Sequence, residues 1–143
     1  MSDVPFHYVD LRTFSYATED DETVERALRT FLPEDAEVTR APSEGHHGDP
    51  ILVLSARVEN ADGIRTVLAR LAELPAADLA AVREELADRV DEDCSFFLTF
   101  DKQAAAGGEV ARGDGITLRA KVEAYPAKRE SAIENARGAL EAL

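Results

Sequence analysis

SFFLTFDKQAAAGGEVARGDGITLRAKVEAYPAKR, residues 95–129, decides how the chain is read. Within it, Ile116, Leu118, Ala120 and Val122 alternate with Thr117, Arg119, Lys121 and Glu123, the period of a strand with one face in a core and one in water. Residues 96–103 form a second apolar run ending in Asp101, Lys102 and Gln103, and the glycines at 107, 108, 113 and 115 make the connection between the two permissive. An antiparallel pair is therefore expected, residues 96–103 with 116–123. Pro126 suits the first position of a terminal helix to Leu143, whose apolar stripe is Ile133, Ala136, Leu140 and Leu143. Lys128 and Arg129 then fall in the first turn, where a helix dipole disfavours cations, so capping does not explain them.

Working outward, residues 6–16, FHYVDLRTFSY, are rich in aromatic and β-branched residues and read as a strand, with Asp10 and Arg12 on a half-wet face. Thr18 is placed to cap a helix that begins with acidic residues, carries Val24, Ala27, Leu28 and Phe31 on one side, and ends at Pro33. Residues 36–40 read as a short strand and residues 41–50, APSEGHHGDP, as a polar loop. Residues 51–59 alternate as a strand, with Val53, Ser55, Arg57 and Glu59 opposite the apolar set. Asn60 is a cap for the next helix, with its stripe at Ile64, Val67, Leu68 and Leu71. Pro75 interrupts, and a restart at Asp78 carries Leu79, Val82, Leu86 and Val90. This order predicts one α+β domain over residues 1–143, a two-layer sandwich with helices on one face of a mostly antiparallel sheet.

The chain has 143 residues, 45% of them hydrophobic and 31% charged, and no apolar run approaches the roughly 20 residues of a bilayer span. No secretion signal is legible at the start, so a cytoplasmic protein without membrane contact is expected. The single cysteine, Cys94, beside an apolar run, reads as a small core residue. The formal charge is −13, with 29 acidic residues against 16 basic. Only three of the basic residues are lysines, the acidic, lysine-poor composition of proteins from salt-loving archaea. Up to Asp93 there are 9 basic and 22 acidic residues, and from Cys94 onward 7 of each. All three lysines lie in residues 95–129, which makes that segment the place where an anionic partner is least repelled.

Chemistry has few candidates. His46 and His47 sit in a GHHGD loop, but adjacent positions lack the spacing of a helical metal pair. No phosphate loop, nucleophile elbow or catalytic triad can be assembled, and no cofactor or resident metal is implied. The surface of interest is basic: Arg12, Lys102, Gln103, Arg119, Lys121, Lys128 and Arg129, with His46 and His47 as accessories. The plain reading is that these cations neutralise neighbouring acids; the sharper is RNA contact, with Arg and Lys on phosphates, Gln on a base edge and Tyr8 or Tyr125 stacking on an unpaired base.

HYVDLRTFSYATED at 7–20, EGHHGDPILVL at 44–54, FDKQAAAGGE at 100–109 and ITLRAKVEAYP at 116–126 together resemble an archaeal family of small RNA-binding proteins and predicted exosome subunits. The resemblance spans nearly the whole chain and is most specific in GHHG, DKQAA and LRAKVEAYP. It implies a fold similar to that of the ribosomal protein that binds 5S rRNA, RNA as partner (ribosomal RNA or an exosome substrate), association with exosome subunits, and no catalytic residues. Residues 104–108 depart from it in lacking any bulky side chain. Two other readings stand beside a non-catalytic RNA-binding module: a small metal-dependent phosphoesterase using the GHHG loop, and a protein-interaction domain, a homodimer included.

Overall fold

Five strands and six helices make up the computed structural model, which describes residues 4–143. In chain order they are β1 (Phe6–Tyr16), α1 (Asp21–Arg29), β2 (Thr39–Glu44), β3 (Pro50–Val58), α2 (Ala61–Leu71), α3 (Ala76–Glu84), α4 (Leu86–Arg89), β4 (Ser95–Asp101), α5 (Lys102–Ala106), β5 (Gly115–Val122) and α6 (Arg129–Glu141). The sheet is antiparallel throughout, in the order β2-β3-β1-β5-β4.

Alternation in each strand sends one set of side chains into a single core. Ala56, Leu11, Leu118 and Leu98 stand opposite one another on β3, β1, β5 and β4, and all four are buried. Val24, Ala27 and Leu28 of α1, Ile64, Val67 and Leu71 of α2, and Ala132, Ala136 and Leu140 of α6 close over them. Each large side chain buried this way contributes about 1.5–3 kcal/mol. Phe31 and Phe100 add an aromatic contact, with centroids 4.5 Å apart. Three hydroxyl side chains are buried: Thr13 Oγ1 donates to the Gly115 carbonyl and Ser15 Oγ to Asp21 Oδ1, each at 2.7 Å, whereas Ser95 Oγ has no hydrogen-bond partner among the described residues. The result is the expected two-layer α+β sandwich, with Cys94 buried as the sequence suggests.

Several boundaries move, for local reasons. The strand expected over 96–103 stops at Asp101, whose Oδ1 accepts from Ala104 N at 2.8 Å and caps α5, so Lys102 and Gln103 are helical. Gly115 is required where β5 begins: its φ is +117° and a Cβ there would lie 2.6 Å from that of Lys102. Helix α1 starts after Asp20 rather than Thr18 and ends at Arg29, short of Pro33. The edge strand is 39–44 rather than 36–40, because Gly45 N donates to the Asp49 carbonyl (2.7 Å) and Gly48 takes φ +79°, which contracts the expected loop to a tight turn. Helix α3 begins at Ala76, directly after Pro75. Helix α6 begins at Arg129, three residues after Pro126, because Lys128 is extended and the Arg129 guanidinium reaches back to the carbonyls of Val90 (2.9 Å) and Ala87. Asn60 caps α2 as expected, accepting from Gly63 N at 2.6 Å.

Candidate nucleic-acid interface

The helices leave the other face of the sheet open, and strand register fixes what it displays. Arg57 lies opposite Asp10, Asp10 opposite Arg119, and Arg119 opposite Phe97, so four strands contribute one row. Two residues along each strand, a second row runs Thr39, Ser55, Arg12, Thr117 and Thr99. Neighbouring strands are about 4.8 Å apart, so directly opposed side chains touch. The two rows, apart from Thr99, line a depression of about 460 Å³.

Each of the three arginines lies over an aromatic ring. The Arg57 guanidinium is 4.0 Å from the centroid of Tyr8, and those of Arg12 and Arg119 are 5.5 Å from Phe14 and Phe97. Their hydrogen bonding differs. Arg57 grips Asp10 with two bonds, Nε to Oδ1 at 2.8 Å and Nη2 to Oδ2 at 2.9 Å, and these bonds, with the carboxylate charge, push its pKa up. Arg12 is exposed and Arg119 half-buried, and neither makes an ion pair among the described residues. Arg119 Nε is buried with no hydrogen-bond partner. A guanidinium held on a ring with its donors unspent is preorganised to receive an acceptor.

Arg12, Arg119 and Lys121 thus share the open face, while the other sequence candidates disperse. Lys121 opposes Tyr8 and Ser95, with its ammonium donating to the Asp93 carbonyl. Lys102 Nζ is spent on the Phe14 carbonyl (2.9 Å) and Glu19 Oε1 (2.8 Å), tying α5 to β1. Gln103 is exposed on α5, which packs on α1. Lys128 is exposed at the start of α6, whereas Arg129 is engaged by the carbonyls described above. His46 and His47 stand edge to face with centroids 5.0 Å apart at the tip of the β2–β3 hairpin. That tip lies beyond Ile51, six residues or about 20 Å along β3 from Arg57. Among the described residues no three His, Cys, Asp or Glu side chains are grouped to hold a metal, and no helix is long and apolar enough to cross a membrane.

Arg57 and Phe97 are absent from the sequence-derived set. Arg57 could be placed on the outer face of its strand, but its row-mates belong to register. Phe97 sits in the run Phe96–Leu98 and reads as core, although alternation from the buried Phe96, Leu98 and Phe100 puts it outside.

Similarity to known proteins bears on this face. A family model described as RNA binding matches residues 8–122. The RNA-binding protein PAB1135 of Pyrococcus abyssi is 39% identical over 144 residues, which cover 94% of each chain. The structure of Mth689, a DUF54 protein from Methanothermobacter thermautotrophicus, shares 40% identity and superposes with a TM-score of 0.78, covering 94% of this chain and 98% of that one. That of protein AF2318 from Archaeglobus fulgidus, at 30% identity, superposes with a TM-score of 0.84 over 94% of this chain and 99% of the other. A model matching most of the length and a relative aligned nearly end to end place the chain: it belongs to this RNA-binding family.

Proposed function

We propose that the protein is a non-catalytic RNA-binding module that meets RNA with its open sheet face. The observation that carries this reading is the row Arg57–Asp10–Arg119–Phe97 with Arg12 beside it, where cations and aromatic planes are interleaved on a face that no helix covers. Arg12, Arg119 and Lys121 are the primary contacts; Lys128, His46 and His47 extend them at the rim; Lys102 and Arg129 hold the surrounding backbone, with Gln103 beside them. Family membership supports RNA as the partner. The finer expectation, a ribosomal RNA or exosome substrate bound in the cytoplasm, rests on the sequence resemblance, and co-purification from native extract with and without RNase separates RNA tethering from direct contact with exosome subunits.

The face itself is tested by fluorescence anisotropy with a structured RNA across a KCl series. The double variant Arg119→Ala, Lys121→Ala is expected to bind more than tenfold more weakly. Its slope of log K against log salt should also be shallower, by about 1 for each of the two cations that contacts a phosphate. Wild-type affinity in a folded double variant would remove this face from the binding surface.

A further inference from the structure

The open face is not laid out as a track for a phosphate backbone. Its first row alternates in sign, with the Asp10 carboxylate between two arginines, and Asp10 already occupies Arg57 through bonds of 2.8 and 2.9 Å. A phosphate laid across that row meets a carboxylate at its centre. Lys121 is likewise partly spent, on the Asp93 carbonyl. The second row is neutral apart from Arg12 and presents three hydroxyls to the depression, those of Thr39, Ser55 and Thr117. Hydroxyls both donate and accept, which suits the edge of a base better than a phosphate oxygen, which only accepts. Between the rows, the ring of Phe97 and the guanidinium of Arg119 line the depression, and each plane suits the face of a base. The volume, about 460 Å³, falls within the roughly 300–1,000 Å³ of small-ligand pockets: room for a nucleotide, not for a helix.

Building on the RNA-binding reading above, we infer that this depression receives an unpaired base, stacked at Phe97 and Arg119 with its edge toward the Ser and Thr hydroxyls, so that the RNA recognised is a single strand, bulge or loop rather than an uninterrupted duplex. An A-form duplex keeps its base faces stacked internally and offers a protein phosphates and 2′-hydroxyls across a wide minor groove. Neither the ring of Phe97 nor the central carboxylate has a role against that surface.

The test uses three labelled RNAs at one KCl concentration: a 12-nucleotide single strand, its blunt duplex, and the same duplex with one bulged base. The single strand and the bulged duplex are expected to bind at least tenfold more tightly than the blunt one. Phe97→Leu, which keeps apolar bulk but removes the ring, should weaken binding of those two RNAs about tenfold while leaving the salt slope and the blunt-duplex affinity unchanged. Melting temperatures confirm that the variant is folded. Blunt duplex binding as tightly as the bulged form, or Phe97→Leu binding bulged RNA like the wild type, overturns the inference while RNA binding stands. Failure of all three RNAs to bind removes the RNA-binding reading itself, and the inference with it.

Discussion

Asp10 is the acid in the middle of an otherwise basic face. It stands opposite both Arg57 and Arg119 and two residues before Arg12 on the same strand. Its ion pair with Arg57 is half-exposed, with side-chain accessibilities of 51% for Arg57 and 31% for Asp10. A pair so hydrated contributes only about 0–1 kcal/mol to stability, so its larger effect is on approaching anions. Asp10→Asn keeps the size of the side chain, removes its charge and releases the Arg57 guanidinium. The variant is expected to lose no more than about 1 kcal/mol in urea unfolding. It should also bind blunt duplex RNA several-fold more tightly than the wild type, narrowing the preference for unpaired RNA. Unchanged duplex affinity would mean that the carboxylate does not exclude phosphate. Arg119 illustrates the complementary case, a cation with no ion pair among the described residues whose guanidinium lies over the Phe97 ring.

At the scale of elements, the strands and their faces were legible because burial on one side enforces a period of two: residues 116–122 alternate without exception and β5 forms there. Boundaries set by a single side chain were less so. Asp101 closes β4 by capping α5, and DKQAAA carries that signal in a cap residue followed by good helix formers, yet an apolar run leading into it reads as strand. The composition of the site was half legible, since alternation exposes Arg119 and Lys121 but cannot say that Arg57 and Phe97 complete their row; that depends on pairing between residues 22, 47 and 109 positions apart. Ion pairs then fasten the elements to one another. Glu25 on α1 receives Arg29 Nε at 3.0 Å and Arg40 Nη2 of β2 at 2.9 Å, and these bonds outweigh partial burial and hold its carboxyl below the ordinary 4.5. Partial burial works against ionisation of Glu19, but the hydrogen bonds of Lys102 and Tyr16 N–H prevail and its pKa also falls. A depressed carboxyl stabilises the fold above its unfolded pKa, and the stabilisation disappears as pH drops through the folded value. The melting temperature should therefore fall progressively below about pH 4.5, and Glu25→Gln, already less stable at neutral pH, should show a smaller acid loss. An identical acid profile in the variant would show that the link from α1 to β2 does not contribute.

For the whole molecule, the −13 formal charge is unevenly placed: the two described rows and Lys121 together hold four cations and one carboxylate, leaving the acidic excess elsewhere. Self-repulsion among those acids opposes compaction, and its range is set by salt, since the Debye length is about 10 Å at 0.1 M and about 3 Å at 1 M. The ion pairs fastening the elements sit at 2.8–3.1 Å, well inside the length at 0.1 M and comparable to that at 1 M, so molar salt removes the repulsion between distant acids more completely than the attraction within a pair. The same inequality applies to the RNA surface proposed above, where a contact made directly at Arg12 or Arg119 is screened less than repulsion from the acids elsewhere on the molecule. If the protein works in concentrated salt, the stacking inferred above would supply affinity that screened charge cannot. The melting temperature is expected to climb continuously from dilute buffer to molar KCl, and to climb less over the same range when surface acids such as Glu34 and Asp35 are replaced by Gln and Asn. A melting temperature indifferent to KCl over that range would show that the acidic body is not held apart by its own charge, and with it the case for a salt-adapted protein would fall.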